Sequence, residues 1–271
     1  MKNSEKALKK LPKKWIINLI FTVALIALVI YTLEGSTINP LRVKQIPFII
    51  AAFFRGFADI LWPALFGFDG YQFNESIIYL ALQTLSIGFF GTLLGAILAI
   101  PVAFLASRNI VGKHLAKVGS VLLVIIRVFP EIILAYILVK GLGIGSITGI
   151  LVIGIHSVGM LGKLFAETID EMDRSSIEAL EAVGANGLQK VRYGILPQIL
   201  PLMTSITLYR LDINVRSATV LGAIGAGGLG VLLTVFSDPP AWDILATIMV
   251  AIMAMVMIVD TVSSKLREKL I

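Results

Sequence analysis

The chain has 271 residues, of which 57% are hydrophobic and 15% are charged, and its formal net charge is +6. So large an apolar share excludes an ordinary soluble domain. Lysines crowd the tail at residues 1–14, directly before an apolar run. This pattern is typical of the cytoplasmic flank of a membrane helix and argues against nucleic acid as the partner. Cysteine is absent and the chain has two histidines, too few for a tetrahedral zinc site, so we expect no metal centre.

Six apolar segments have about the 20 residues that a helix needs to cross a bilayer. They are residues 15–33, 77–105, 115–139, 144–165, 199–223 and 242–262. We therefore predict an all-α, multi-pass membrane protein with six transmembrane helices and one membrane domain over residues 15–271.

The segment 46–68 is also long enough to cross, but it contains Arg55 and Asp59 and is interrupted by Pro47 and Pro63. If it lies on the outer surface as an interfacial helix, the basic connections after the second and fourth spans both face the cytoplasm. If it crosses, they face outward, against the rule for lysine and arginine in short loops. We therefore predict an interfacial helix and two cytoplasmic termini.

Charged and polar side chains lie midway along the third, fourth and fifth predicted spans. They are Arg127, Glu131, His156, Arg210, Asp212, Asn214 and Arg216. A charge at the bilayer centre costs about 2.5–3.5 kcal/mol on insertion scales. Such side chains are expected to face other helices or a water-filled pathway.

Spacing separates these residues into two kinds. Arg127 with Glu131, and Asp212 with Arg216, stand four residues apart, so each pair can neutralise itself on one helix face. We predict structural charge pairs for them, with a place along a transport pathway as the alternative.

Arg210 has no carboxylate on its own helix face, because Asp212 points about 200° away from it and the residue four positions on is neutral. It needs a partner on another helix or an anionic substrate. A lone histidine inside a helix can be a simple hydrogen-bonding residue or part of the same pathway. The candidate pathway residues are Arg210, Asn214, Arg127, Arg216 and His156.

Several glycine patterns bear on packing and on nucleotide binding. Two small-xxx-small pairs, at 91/95 and 145/149, predict close helix contacts, unless they arise by chance in a chain with 24 glycines.

The G-x-G-x-x-G at Gly225, Gly227 and Gly230 follows a membrane helix and not a strand, so it predicts a compact turn or gate at the outer mouth. No G-x-x-x-x-G-K-[ST] motif is present, so the chain is not expected to bind ATP in a P-loop.

The stretch 167–197 is the longest polar connection and is predicted to be cytoplasmic. Either serine at 175–176, with Glu178, can form a capping box for a short helix that ends at Gly184. A second short helix is predicted over residues 186–193. A cytoplasmic helix pair of this kind has no core of its own, so it indicates insertion into the groove of a partner protein.

One pattern in this stretch is carried by Glu178, Ala179, Leu180, Gly184, Leu196 and Pro197. It resembles the EAA loop of ABC importer permeases, which reads E-A-A, three residues, G, nine residues, I-x-L-P. Leu180 replaces the second Ala of that pattern, and Gly194 stands where Ile is usual. The resemblance implies that 167–197 is the coupling loop that docks on a separate ATPase subunit.

Four further stretches resemble the phosphonate transporter permeases of the ABC superfamily. They are RVFPEIILAY, HSVGMLGKLFAE, RYGILPQ and YRLDINVRSATVLGAIGAGGLG. The resemblance implies a bacterial cell-membrane permease that pairs with a second copy of itself, with two cytoplasmic ATPase subunits and with an external phosphonate-binding protein. It implies no catalytic residue and no cofactor in this chain, since the partner ATPase binds ATP and Mg²⁺.

Two alternatives stay open at this point. An ABC permease for another small solute, such as methionine, would share the EAA loop. A proton-coupled secondary transporter would use the buried carboxylate of Glu131 or Asp212 and would need no ATPase.

Overall fold

The computed structural model describes residues 14–34, 40–60, 65–66 and 76–270. Residues 1–13 of the predicted basic tail lie outside the described residues, as do 61–64 and 67–68 of the predicted interfacial segment. No strand occurs in the part of the chain that the structure describes, which confirms the all-α class.

Eleven α-helices and two π-helical segments make up the described chain. They are α1 (Lys14–Glu34), α2 (Pro40–Gly56), α3 (Ile77–Ala106), α4 (Arg108–Val128), α5 (Glu131–Leu142), α6 (Ser146–Glu171), α7 (Ser175–Ala182), α8 (Gly187–Gln189), the π segment Lys190–Ile195, α9 (Leu196–Leu221), the π segment Gly222–Ala226, α10 (Leu229–Val235) and α11 (Trp242–Glu268).

The helices fall into two compact units, Met1–Phe54 and Arg55–Ile271. In the second unit α3, α4, α6 and α11 are each long and apolar enough to cross a membrane. The helical stretch Gly187–Ala226 and α10 are bent by 53° at their junction and make up to one further span if the pair crosses as one. In the first unit α1 carries a shorter apolar stretch, Ile17–Thr32. All six segments predicted to span the membrane are thus largely helical.

The third predicted span, 115–139, is not one helix. Helix α4 ends at Val128, and α5 begins at Glu131 after an extended Phe129 with φ −68° and ψ 122°. Pro130 explains the break, because proline disfavours helical geometry in the residue before it and offers no N–H to the helix. A broken helix inside the membrane zone needs neighbouring groups to satisfy its freed backbone atoms.

In the described part of the predicted interfacial segment 46–68, α2 ends at Gly56. Pro47 lies inside that helix and does not stop it. Its placement at the outer surface stays a prediction.

Small residues allow α3 and α6 to pack closely. A Cβ atom built on Gly95 would lie 2.7 Å from Cβ of Ser157, and one on Gly91 would lie 2.8 Å from a side-chain carbon of α6. The predicted pair therefore works as a packing surface. In the second pair only Gly149 is tightly packed, 2.9 Å from a backbone oxygen, whereas Gly145 precedes α6 with φ +151° and has open space around it.

The glycine-rich segment after α9 forms the compact turn that the sequence predicts. Gly227 has φ +85°, a conformation that glycine adopts without steric cost. The backbone N–H of Gly228 donates to Oε1 of Gln83 (3.0 Å), and that of Leu229 donates to Oγ1 of Thr84 (2.8 Å). The turn is thereby fixed to α3, while its predicted role as a gate stays a prediction.

Candidate functional site

A buried polar layer joins α9 to α6 around Arg210. This side chain is only 6% exposed. Its Nε lies 3.4 Å from Oγ of Ser157, Nη1 lies 3.1 Å from Sδ of Met160, and Nη2 lies 3.2 Å from Nδ1 of His156. The partner that Arg210 lacks on its own helix is therefore supplied by α6. In this conformation Arg210 faces protein and not an open pathway.

Asn214, one turn further along α9, extends the same layer to α3. It is fully buried, and its Nδ2 donates to Oγ1 of Thr92 (2.8 Å) and to Oγ of Ser157 (2.9 Å). Buried polar groups that are hydrogen-bonded in this way fix the register of the helices that carry them. Ser157 is the common partner of Asn214 and Arg210.

Glu131 belongs to this layer and not to Arg127. Its Oε2 accepts a hydrogen bond from Ser217 (3.3 Å) and lies 3.9 Å from Nδ1 of His156. The predicted pair of Arg127 with Glu131 was wrong, because α4 ends at Val128 and the i,i+4 relation does not survive the break at Pro130.

The other predicted pair is present on α9. Nη2 of Arg216 lies 2.7 Å from Oδ2 of Asp212, as their spacing of four residues predicts. Asp212 is buried and the Arg216 side chain is 55% exposed. The second carboxylate oxygen of Asp212 is buried without a hydrogen-bond partner among the described residues.

The 167–197 connection presents an exposed helix pair. Helix α7 has no buried residue, and Val183 and Leu188 are 79% and 84% exposed. Gly184 ends this helix with φ +79°, which confirms the predicted left-handed stop. Nζ of Lys190 lies 2.8 Å from Oε1 of Glu181, so the two halves of the connection are held together.

The caps of this helix pair differ from those predicted. Ser175 donates to Asp173 through its N–H (3.0 Å) and its hydroxyl (2.5 Å), and it makes no capping box with Glu178. These hydrogen bonds lower the pKa of Asp173, so its carboxylate stays ionised to a lower pH than that of a free aspartate. The capping box forms instead between Asn186 and Gln189, with hydrogen bonds of 2.8 and 2.9 Å.

The predicted second short helix, 186–193, is not separate. Helix α8 continues through the π segment Lys190–Ile195 into α9. Pro197 does not interrupt this path, because the π segment passes directly into α9, of which Pro197 is one of the first residues. The predicted coupling loop is thus connected to the span that carries Arg210 by continuous helical backbone.

The segments described above lie within the part of the chain that matches a known protein family. Residues 91–268 match the family described as "Binding-protein-dependent transport system inner membrane component". The chain belongs to this family. It is a multi-pass inner-membrane permease subunit and not an ATPase.

Two relatives and one solved structure place the permease more closely. It is 38% identical over 202 residues to "Phosphite transport system permease protein PtxC" of Stutzerimonas stutzeri, covering 74% of this chain and 72% of that one. It is 36% identical over 193 residues to "Phosphate-import permease protein PhnE" of Mycolicibacterium smegmatis, covering 70% of this chain and 36% of that longer one. A chain of an inward-facing MetNI methionine ABC transporter superposes with a TM-score of 0.64 at 23% identity, over 72% of the permease and 96% of that chain. The last likeness shows the type I importer fold alone.

The two departures of the permease from the EAA pattern are neighbours in space. A Cβ atom built on Gly194 would lie 3.0 Å from Cδ1 of Leu180. The larger side chain at 180 therefore occupies the room that an isoleucine at 194 would need. The two substitutions compensate each other, which explains why the loop can keep its shape with both.

We expect Gly194→Ile alone to destabilise the loop, because overpacking costs about 1–3 kcal/mol, and we expect the added substitution Leu180→Ala to restore it. Thermal unfolding in detergent and co-purification with the ATPase measure both effects. Gly187→Ile is the matched control, since Gly187 has open space around it. A double variant that is no more stable than Gly194→Ile would contradict the compensation.

Sequence reasoning missed several residues that the structure brings into the site. Ser157 and Thr92 are the acceptors of the buried layer, and nothing in their local sequence distinguishes them from other hydroxyl residues of membrane helices. The capping box at Asn186 and Gln189 could have been predicted from the sequence, since Asn followed three residues later by Gln fits the capping pattern.

Proposed function

We propose that the chain forms the membrane pathway of an ATP-driven importer for phosphonate, phosphite or phosphate anions. The observation that carries the substrate class is the 38% identity to the phosphite permease, against 28–29% to two probable D-methionine permeases. An anion of this kind needs cationic or hydrogen-bonding groups along its route. Arg127 and Arg216 are exposed and can supply them directly.

ATP and Mg²⁺ are bound by two partner ATPase subunits in this proposal. The exposed helix pair around Gly184 supports it, because Val183 and Leu188 offer apolar contacts to a groove and have no core of their own. Closure of the ATPase dimer on ATP would move the loop, and unbroken helical backbone would transmit that movement to α9. An external binding protein delivers the anion, and a second copy of the chain completes the pathway.

The buried layer of Arg210, His156, Glu131 and Asn214 is a positioning element in this scheme. It holds α9 against α6 and α3 while the coupling loop pulls at the start of α9. The exposed apolar faces of the helices lie against lipid or against the second copy.

Reconstitution tests the proposal. We expect liposomes that contain the permease, its ATPase and its binding protein to take up methylphosphonate, phosphite or phosphate only when ATP is supplied. Liposomes without the ATPase, under a proton gradient, are the control. ATP-independent uptake would support a secondary transporter instead, and ATP-driven uptake of methionine without uptake of any phosphorus anion would contradict the substrate class.

A further inference from the structure

A cavity of about 450 Å³ runs along α4, between the end of α3 and the second half of α6, and three cationic side chains line it. Its lining includes Arg108 at the start of α4, Arg127 near its end, and Lys163 on α6, with the carboxylates of Glu167 and Asp170 beside them. The cavity extends from the level of Gly159 to the end of α6 that leads into the predicted coupling loop. In the predicted topology this end of the cavity is cytoplasmic.

Asp170 is already engaged by the polypeptide. Its carboxylate accepts hydrogen bonds from the hydroxyl of Ser107 (2.5 Å) and from the backbone N–H groups of Arg108 (3.3 Å) and Asn109 (3.1 Å). It thereby caps the first turn of α4 from another helix, a role that uses its negative charge. Among the described residues, Asp170 makes no ion pair with the arginine side chains of the cavity.

Lys163 and Glu167 form a pair of their own. Their charged atoms lie 3.5 Å apart, and both side chains are 51% exposed. An exposed i,i+4 pair is weak and readily exchanged for a better partner. Arg108 and Arg127 have no ion pair within 4 Å in the described part of the chain, so the cavity keeps two guanidinium groups without a carboxylate.

The backbone holds Arg127 in place at the cavity wall. A Cβ atom built on Gly159 of α6 would lie 2.7 Å from the backbone N of Arg127 and 3.0 Å from its Cβ. Helices α4 and α6 therefore touch through backbone atoms at this point. The start of the Arg127 side chain is fixed, while its exposed guanidinium is left to bind.

We propose that this cavity binds a tetrahedral phosphorus oxyanion through Arg108 and Arg127. Guanidinium groups present paired N–H donors that match phosphate and phosphonate oxygens, and such bonds are about twice as strong as neutral ones. The anion can be free, on its way into the cytoplasm, or it can be the phosphate of an anionic lipid headgroup. Binding of a free anion on its way into the cytoplasm rests on the proposed function, whereas binding of a lipid headgroup does not depend on it.

The test uses the full permease chain in dodecyl maltoside, without ATPase, so that nucleotide sites cannot bind the probe. Line broadening in ³¹P NMR measures binding of methylphosphonate, and native mass spectrometry measures retained phosphatidylglycerol. We expect the wild-type chain to bind at least one of these two probes. We expect Arg108→Gln and Arg127→Gln each to weaken the binding of that probe about tenfold. The matched control is Lys117→Gln, which removes an exposed cation of α4 that does not line the cavity.

A gain of affinity provides a second readout that a misfolded variant could not give. Glu167→Gln releases Lys163, so we expect binding to strengthen about two- to fivefold. If the wild-type chain binds neither probe, or if both arginine variants bind like Lys117→Gln, the cavity site is overturned. Uptake by the reconstituted importer is scored separately. A chain that retains lipid but transports no phosphorus anion would refute the proposed function and leave the cavity site standing.

Discussion

Replacing Arg210 by alanine is expected to abolish growth on a phosphonate while leaving the permease bound to its ATPase. The substitution removes the contacts of one buried side chain with Ser157, Met160 and His156 at once. Each buried polar group left without a partner costs about 1–3 kcal/mol. Helix α9 would then lose these three contacts with α6, whereas the hydrogen bond from Asn214 to Ser157 and the hydrogen bonds of the predicted coupling loop would remain.

Three measurements distinguish this result from simple misfolding. Uptake of methylphosphonate reports function, co-purification with the ATPase reports assembly, and thermal unfolding reports stability. Lys140→Ala, which removes an exposed cation at the end of α5, is the matched control and should behave like the wild type. Normal growth of the Arg210→Ala strain would contradict a role of the buried layer in transport.

Gly184→Val is expected to uncouple the permease from ATP hydrolysis. Gly184 adopts φ +79°, where a β-branched side chain is strained by at least about 1–2 kcal/mol. The turn also carries hydrogen bonds from the N–H of Gly184 to Glu181 O (3.0 Å) and from that of Ala185 to Leu180 O (2.9 Å). Relief of the strain would rotate Val183 away from its present direction, and we expect transport-coupled ATPase activity to fall more than tenfold.

Gly187→Ala is the control for this experiment. Gly187 has no positive φ, and a Cβ atom there meets nothing within 4 Å, so the substitution should leave coupling unchanged. The coupling of transport to ATP hydrolysis in Gly184→Asn should be intermediate between that of Gly184→Val and that of Gly187→Ala, because asparagine tolerates the left-handed conformation better than valine does. If Gly184→Val still co-purifies with the ATPase and couples transport to hydrolysis, the loop does not act through this turn.

Features set by neighbours in the chain were predictable. The apolar runs gave the spanning helices, the spacing of four residues gave the contact of Asp212 with Arg216, and Gly184 gave the end of α7. Each depends on the geometry of a single helix or turn, which the local sequence largely fixes. The same logic failed for Arg127 and Glu131, because Pro130 interrupts the helix on which their spacing was counted.

The sequence by itself identified a membrane permease with charged residues inside its apolar segments, and it identified the loop that resembles a coupling loop. Only the tertiary structure decided which group each charge meets. Arg210 finds Ser157 and His156 more than 50 positions away, and Asp170 caps a helix that begins 62 positions earlier. The contacts of Asp170 follow from how closely α4 and α6 approach at Gly159, and those of Arg210 follow from the packing of α9 on α6. Helix packing depends on the shapes of two surfaces at once, so no local pattern in either helix could specify it.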